Sequence, residues 1–495
     1  MHAQELVQIQ LGAVKDDSVH LAAHHIDFDT LFREEEAYRS GLLDLCPEHL
    51  WHNSSYLAGC PRPILVSKSH QQQMEYLHEA LVISIIDIVQ RWWTDKGACF
   101  PKRMPLEPEE EELLRWIENQ VSLGNMATFS DRLGSWRPDF LVEDDAEFKE
   151  NYRITEINAR FSFNGFVHEA YGQDVLNKTL ESWSGVLVGA TDANEILNGL
   201  FDLFRQDRPL HLLKGAEPGI DIHMFIKAVE SRFGIRPRLI TPQLLRLLPD
   251  SRIEHGYRLC CVVEDRKVSL SDNLRTFRGT DGEIWEEIHQ VGLELHQKEL
   301  AAMDPEILRQ VSLRCFNDMR TILLVHDKRM LGIIKQEVPG MLGRGVLNDA
   351  QAAALNRGIV ETILPGSPEL NDLINASVAA PQMRFGYILK PTRSGKGDGI
   401  VFGDDLGRDE WMSTLKALVS SKVVPGVTCV VQRRIVPREY DLVLKAAVGR
   451  VRYPLVGTYH VTNGKLLGLG TWRASGGRIV AVCSGGSWIC SVIEK

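Results

Sequence analysis

Residues 387–402 read YILKPTRSGKGDGIVF and hold the clearest chemical signal in the chain. An apolar strand ends at Lys390, a loop with alternating glycines at positions 395, 397 and 399 follows, and a second apolar strand returns. Glycines allow the backbone to close over an anion, while exposed amides and the amines of Lys390 and Lys396 offer donors and positive charge to phosphates. The segment therefore predicts two strands joined by a phosphate-binding loop, with an ordinary glycine-rich hairpin as the alternative.

Other phosphate motifs do not match. A Walker A loop needs Ser or Thr after its Gly-Lys pair, whereas Gly395-Lys396 and Gly464-Lys465 are followed by Gly and Leu. The glycine turn at 215–219 could hold phosphate, but its spacing fits no dinucleotide fingerprint. Ordinary turn chemistry is the favoured interpretation of that segment.

A second cluster of polar residues lies much earlier in the chain, where Arg137-Pro138-Asp139 precedes Glu156-Ile157-Asn158-Ala159-Arg160. Side chains two apart on a strand point to the same face, so Glu156 and Asn158 share a face, and a paired strand would bring Asp139 beside them. Three hard oxygen donors on one face suit Mg²⁺, which takes its remaining ligands from water and substrate phosphates. A solvated sheet face, or a turn in which Asn158 makes local hydrogen bonds, is the alternative.

Hydrophobic periodicity predicts the elements around these clusters. Helices are expected over 71–93, from 109–112 onward, up to residue 233 and over 410–420. A hairpin is expected from strands 139–142 and 153–157, and a small parallel sheet covered by helices from strands 210–213, 238–240, 258–263 and 321–325. Mainly antiparallel strands are expected over 386–390, 428–432, 440–447, 456–461 and 466–472.

Composition excludes several classes of protein. The 495 residues carry a net charge of -10 with no Lys/Arg-rich block, which argues against a dedicated nucleic-acid binder. No apolar run approaches the ~20 residues of a membrane span, and residues 1–10 do not resemble a leader, so we expect a cytosolic protein. The nine cysteines form no CxxC pair, which favours reduced thiols over a disulfide framework or a zinc site.

Together the two clusters resemble the nucleotide site of the ATP-grasp superfamily. In most ATP-grasp chains the phosphate lysines and the glycine loop precede the metal ligands, whereas here the metal set comes first. That inverted order resembles the circularly permuted branch typified by glutathionylspermidine synthetase. Further short matches lie at 325–331, 361–369, 430–432, 457–459 and 468–473, so the resemblance runs from about residue 130 to 480.

The resemblance implies an α+β fold with an α/β subdomain, in which a circularly permuted ATP-grasp fold holds the nucleotide between two α+β subdomains. It divides the chain into a mostly helical region at 1–130, a metal-binding part at 131–180, an α/β domain at 181–380, and a phosphate-loop and C-terminal part at 381–495. We expect residues 1–130 to supply part of an acceptor pocket. Residues 161–168 could line the same pocket, although core packing is the favoured role of these aromatic residues.

The resemblance also assigns site residues. It implies that Mg²⁺ binds Asp139, Glu156 and Asn158, and that Arg137 lies against the phosphoryl group in transit. It places ATP phosphates near Lys328, Lys390 and the loop Ser394, Gly395, Lys396, Gly397 and Gly399. Gln432 and the chain to Ile435 would border the adenine, and Arg473 would contact phosphate or substrate. Surface or structural ion pairs are the alternatives for Lys328 and Arg473.

The implied activity is an ATP-dependent carboxylate–amine ligase with ATP and Mg²⁺ as cofactors and small-molecule carboxylate and amine substrates. Neither nucleic acid nor membrane is an expected partner, and the oligomeric state stays open. No amidase region precedes the synthetase-like part, so the bifunctional form of the branch is not expected. An ATP-dependent phosphotransferase and a catalytically inactive nucleotide-binding regulator on the same fold are the alternatives.

Overall fold

A computed structural model describes residues 5–11, 27–181, 186–253, 255–263, 276–279, 282–482 and 485–495. The α-helices in these ranges are α1 Phe28–Leu45, α2 Lys68–Gln90, α3 Phe100–Arg103, α4 Pro108–Ser122, α5 Phe166–Glu181, α6 Ala193–Phe201, α7 Ile222–Phe233, α8 Gln297–Ala301, α9 Pro305–Ser312, α10 Arg329–Gly343, α11 Asp349–Gly358, α12 Pro368–Ala379 and α13 Arg408–Ala417. Within them, no helix is long and apolar enough to cross a bilayer.

The strands fall into five sheets. Those of the first half are β1 Val7–Gln8, β2 Gly59–Leu65, β3 Ser135–Asp144, β4 Glu150–Asn158, β5 Leu187–Gly189, β6 His211–Lys214, β7 Arg238–Ile240, β8 Leu245–Pro249, β9 Tyr257–Val263, β10 Thr276–Arg278, β11 Ile284–Glu287 and β12 Val291–Glu294. Those of the second half are β13 Thr362–Ile363, β14 Tyr387–Pro391, β15 Val401–Phe402, β16 Cys429–Arg433, β17 Glu439–Val443, β18 Arg450–Pro454, β19 Val456–Thr462, β20 Lys465–Leu469, β21 Trp472–Ala474 and β22 Ser487–Glu494.

A nine-stranded sheet forms the centre of the molecule, in the order β1-β2-β22-β21-β19-β3-β4, with β20 paired to β19 and β5 to β22. The predicted hairpin is confirmed, since β3 and β4 are antiparallel and Asp139 is the register partner of Glu156. Strand β2 runs parallel to β22. The sheet therefore joins early and late segments of the chain. The metal cluster, which consists of the predicted ligands Asp139, Glu156 and Asn158, lies on the edge hairpin of this sheet.

A four-stranded sheet, ordered β13-β16-β14-β15, carries the glycine loop. Strands β14 and β15 are antiparallel, as expected of two strands joined by that loop. Helices α12 and α13 cover this sheet through a small apolar cluster that includes Leu373, Leu389 and Trp411. Because Leu389 is buried in that cluster, the neighbouring Lys390 on the pleated strand faces the opposite side.

The region between these sheets contains the predicted parallel sheet, which consists of β12, β6 and β7. Two expectations about it are wrong. The strand at 258–263 exists as β9 but belongs to a separate antiparallel sheet with β8, β11 and β10. Residues Thr321–Val325 form a π-helix and all five are buried. A short apolar run that is buried on every side has no period to distinguish strand from helix.

The two predicted N-terminal helices are present. In α2 the residues with helical spacing, from Met74 to Ile88, are buried in the main core. Helix α4 begins at Pro108 with a capping box, in which the Glu110 carboxylate accepts a hydrogen bond from the Glu107 amide at 3.1 Å. Acidic residues in this first turn satisfy the helix end, as the sequence indicated.

Candidate active site

A cavity of about 1350 Å³ lies along the central sheet and the glycine-loop sheet, and residues of both line it. Strands β3, β4, β19 and β21 contribute side chains that alternate along the sheet, which is the pattern of one sheet face. Most of the predicted site residues line this cavity: Arg137, Asp139, Glu156, Asn158, Lys390, Ser394, Gly395, Lys396, Gly397, Gln432 and Arg473. Lys328 and Gly399 do not line it.

The Asp139 carboxylate lies between two arginines. Its Oδ1 accepts a hydrogen bond from Nε of Arg137 at 3.1 Å, and its Oδ2 accepts one from Nη2 of Arg473 at 2.6 Å. Arg137 is fixed further because its Nη1 donates to the carbonyl of Asn164 at 2.8 Å. The ion pair that was the alternative for Arg473 is thus present, and it holds Arg473 at the cavity wall beside the metal cluster.

The Glu156 carboxylate faces two lysines. Its Oε2 lies 3.4 Å from Nζ of Lys328 and 3.5 Å from Nζ of Lys390. Burial alone would raise the pKa of Glu156, but the positive charges of Lys328, Lys390 and Arg473 outweigh it and hold the pKa well below its usual range. Burial lowers the pKa of Lys390, although the attraction of Glu156 opposes this. Lys328 thus contacts Glu156 although it does not itself line the cavity.

Asn158 completes the set on β4. It lines the cavity two residues after Glu156, and its register partner across the hairpin is Arg137. Its Nδ2 is buried and has no hydrogen-bond partner in the described part of the chain. A buried amide left without a partner is rare in native proteins and indicates that a group supplied from outside the chain completes its bonding.

The glycine loop has a left-handed backbone at several positions and makes two contacts with other parts of the site. Residues Lys396, Gly397 and Gly399 have φ values of 57°, 79° and 73°, in the left-handed region. The Ser394 carbonyl accepts a hydrogen bond from Nζ of Lys328 at 2.5 Å. Nζ of Lys396 donates to the carboxylate of Glu217 at 2.8 Å. The loop thus contacts both the metal cluster and the parallel-sheet region.

Glu217 belongs to the glycine turn at 215–219. The turn presents this carboxylate to the cavity, and two of its amides already have partners: Gly215 donates to the carbonyl of Glu294 and Ala216 to the carboxylate of Glu299. A phosphate would meet a negative charge here, so the structure agrees with ordinary turn chemistry rather than a second phosphate loop.

Gln432 lies on β16 at the cavity. Its Nε2 donates to the carbonyl of Thr155 at 3.2 Å and to Oγ1 of Thr362 at 3.1 Å. This side chain therefore links the glycine-loop sheet to β4. The chain that follows it, as far as Ile435, also lines the cavity.

Several cavity residues were not predicted individually. His168 and His460 lie near Arg137; burial, and then the charge of Arg137, lower the pKa of His168 to about 4 and that of His460 well below its usual value. Phe161 and His168 line the cavity, whereas Phe163 and Phe166 pack in the core, so residues 161–168 take both of the roles considered for them. His460 lies on a distant strand with no local signal, so only the tertiary fold brings it here.

The N-terminal region also reaches the cavity, and its predicted role in an acceptor pocket stays a prediction. Residues 52–55, 57 and 58 line it. Within this segment Asn53 and Ser54 have φ values of 50° and 52°, which non-glycine residues adopt rarely. Such backbone strain persists only where surrounding contacts impose it, and it is frequent at ligand sites.

Two sequence comparisons relate the chain to known proteins. The family model for the AnkG N-terminal domain matches residues 77–324. The ATP-grasp enzyme ankG of Aspergillus thermomutatus is 31% identical over 495 residues, which cover 99% of this chain and 100% of that protein.

A solved structure supports the fold. The glutathione synthetase-like effector of Globodera pallida, in its apo form, matches with a TM-score of 0.54 and 11% sequence identity, covering 94% of this chain and 98% of that one. At this identity the likeness concerns the fold alone. By contrast, the match to ankG extends over nearly the whole of both proteins. The chain therefore belongs to the ATP-grasp family of enzymes.

Proposed function

We propose that the protein is an ATP-dependent carboxylate–amine ligase that forms an amide bond through an acyl phosphate. One observation carries the proposal: the Glu156 carboxylate, on which Lys328 and Lys390 converge, lines a cavity together with Asp139, Lys390 and the glycine loop. Lysines, carboxylates and a glycine loop in one cavity are what transfer of a phosphoryl group requires, because that group spreads negative charge over its oxygens.

The chemistry of the donor set fits Mg²⁺. Two carboxylates of register partners, Asp139 and Glu156, and the unpartnered amide of Asn158 line the same cavity. The two ends of an amide are assigned by their partners, so Asn158 can present its oxygen. These three residues would hold the ion, which supplies charge neutralisation at the ATP phosphates when it is bound.

The nucleotide would lie between the two sheets. Ile388, Gln432 and Ile435 from the glycine-loop side and Leu141 and Val456 from the central sheet line the cavity. Apolar side chains on both sides suit a flat aromatic base. The phosphates would then extend toward Lys390 and the glycine loop.

In the first step, an oxygen of the substrate carboxylate attacks the γ-phosphorus, and the bond to the bridging oxygen of ADP breaks. In the second, the amine nitrogen attacks the acyl carbon, inorganic phosphate leaves and the nitrogen loses a proton. Arg137 and Arg473, which Asp139 orients, would stabilise charge on the phosphoryl oxygens in both steps. Closure of the glycine loop would exclude water, which would otherwise hydrolyse the acyl phosphate.

The order of the parts supports the permuted arrangement that we also propose. The metal set on β3 and β4 precedes the glycine loop after β14, the reverse of most ATP-grasp chains.

The cysteines of the described ranges are all unpaired, which fits the proposed cytosolic location.

The test is ADP release from Mg-ATP in the presence of amino acids, short peptides, other carboxylic acids and amines, with mass spectrometry of each mixture. We expect ADP only when a carboxylate and an amine are both present, with a product lighter than their sum by one water. ADP formation with one acceptor, and a product heavier by a phosphoryl group, would instead establish a phosphotransferase. ATP binding without turnover across the panel would favour the inactive regulator.

A further inference from the structure

Arg160 is buried but has no acidic partner among the residues that the structure describes. It is 8% exposed and lines the cavity, two residues beyond Asn158. Its Nη2 donates to the backbone carbonyl of Arg393 at 2.6 Å, and its Nε has no hydrogen-bond partner. Among the described residues it forms no ion pair, although buried charges in proteins are almost always paired.

The nearby carboxylates are already used by another arginine. Arg393 binds Asp327 at 3.0 Å, Glu110 at 2.6 Å and Glu107 at 3.2 Å. Burial, and then repulsion by Arg393, lower the pKa of Arg160 to about 10, although Asp327 and Glu110 oppose this at longer range. Arg160 thus remains a cation whose charge the surrounding protein leaves largely uncompensated.

His326 provides a second donor beside it. Its Nδ1 lies 3.3 Å from the backbone N–H of Ala159, the residue before Arg160. That N–H donates to Nδ1, so the proton of the neutral ring is on Nε2, which is buried without a partner among the described residues. Burial, and then the charges of Arg160 and Lys328, hold the pKa of His326 well below its usual value. His326 is therefore a neutral donor at the cavity wall.

We propose, on the basis of the ligase function above, that Arg160 and His326 bind a carboxylate of the acid substrate other than the one that is activated. The substrate is then a di- or tricarboxylic acid. The activated carboxylate would lie by Arg137 and Arg473, and Arg160 follows Asn158, the last residue of β4, by two positions and lines the same cavity. The planar guanidinium matches a carboxylate, and His326 adds a donor without further charge.

The cations nearest the proposed phosphate position already have acidic partners, which distinguishes them from Arg160. Lys328 and Lys390 share Glu156, while Arg137 and Arg473 share Asp139. ATP and its metal would bind among those cations, each of which has a carboxylate partner, whereas Arg160 requires an anion of its own. The γ-phosphate of ATP is the other oxyanion within reach, and the experiment separates the two.

The first measurement is the melting temperature of the ligand-free Arg160→Met and Arg393→Met proteins. If Arg160 serves a ligand, its loss removes an uncompensated buried charge, and we expect a melting temperature equal to or above that of the wild type. Arg393→Met is the matched control, since it removes the cation that binds Glu107, Glu110 and Asp327, of which Asp327 keeps Arg329, and it should melt several degrees lower. A similar loss in Arg160→Met would show a structural role and overturn the proposal.

The second measurement is the thermal shift caused by succinate, glutarate and citrate, each beside its monoamide, with Mg²⁺ and a non-hydrolysable ATP analogue. We expect at least one acid to stabilise the wild type more than its monoamide does, and this difference to disappear in Arg160→Met. No Arg160-dependent shift with any acid would overturn the proposal. So would a variant that binds ATP more weakly but ADP normally, because Arg160 would then bind the γ-phosphate.

Activity separates this proposal from the function on which it rests. For the acid found in the ADP-release assay, Arg160→Met should raise KM at least tenfold while the KM for ATP stays unchanged. An unchanged KM for the acid would refute the carboxylate site and leave the ligase intact. Arg160-dependent acid binding without amide formation would refute the ligase and leave the carboxylate site intact.

Discussion

Asp139 and Glu156 are register partners on adjacent antiparallel strands, and each carboxylate is held by its own pair of cations. Arg137 and Arg473 bind the first, while Lys328 and Lys390 bind the second. Four cations therefore surround two carboxylates. The excess of positive charge in a largely buried wall favours a polyanion such as a nucleotide triphosphate, and the carboxylates keep the cations oriented before it arrives.

Glu156→Gln should reduce ATP turnover by about 10²- to 10³-fold, because it removes a proposed metal ligand and the group that orients both lysines. Steady-state ADP release at several Mg²⁺ concentrations measures the effect. Glu147→Gln is the control, since Glu147 lies in the turn of the same hairpin and its side chain is 72% exposed. Equal activity of the two variants would contradict the proposed role of Glu156.

Arg137→Ala should abolish turnover and leave ATP binding nearly unchanged. Asp139 keeps its bond to Arg473 in this variant, so the metal cluster retains one arginine. The charge that develops on the transferring phosphoryl group loses a donor, which typically costs about 10²- to 10³-fold in rate. ATP binding by calorimetry and ADP release are measured together, and near-normal turnover would refute the assignment.

Gly397→Val should reduce the rate by about 10²-fold or more without unfolding the protein, because loop closure positions the phosphates. Position 397 has a φ of 79°, and an added Cβ would lie 2.5 Å from Cγ2 of Ile479. Gly395→Ala is the matched control in the same loop, where a Cβ meets no described atom within 4 Å. Circular dichroism checks folding, and equal rates for both variants would argue against a role for loop geometry.

Glu169 should make stability fall as pH rises. Burial raises its pKa to about 8, while hydrogen bonds from Thr471 oppose this. The stabilising contribution is thus fully present below the unfolded-state pKa near 4.5 and is lost as pH rises toward 8. The expected loss is roughly 1.4 kcal/mol per pH unit in that interval.

Melting temperatures of wild type and Glu169→Gln at pH 5, 6.5 and 8 test this. The amide cannot ionise, so the melting temperature of the variant should rise relative to that of the wild type as pH increases. The buried histidines titrate in both proteins, and their effect is therefore removed from the difference. A difference in melting temperature that does not change with pH would show that Glu169 is ionised in the folded protein throughout the range, and would contradict the raised pKa.

Local patterns were sufficient to predict the elements that carry the site. Short apolar runs at 139–142 and 153–157, separated by an acidic turn, predicted the hairpin, and the two-residue period of a strand placed Glu156 and Asn158 on one face. The register of Asp139 opposite Glu156 follows from that pairing. The proposed site roles and the four-part division of the chain stay predictions that further experiments must decide.

Long-range placement could not be predicted. Arg160 was within the quoted motif, but its missing acidic partner is visible only when the contacts of Arg393 are known. His460 lies on a late strand with no motif of its own. The π-helix at Thr321–Val325 was expected to be a strand, because uniform burial erases the periodicity that distinguishes the two.

The parallel pair of β2 and β22 has a consequence for synthesis on the ribosome. Strand β22 lies between β2 and β21 in the central sheet and also pairs with β5. A nascent chain that has not yet exposed residues 487–494 leaves these three partners with open edges, which are prone to pair with other chains. The sheet that carries the site therefore closes only after residues 487–494 have left the ribosome, and a chain that stalls before this strand would be a substrate for chaperones.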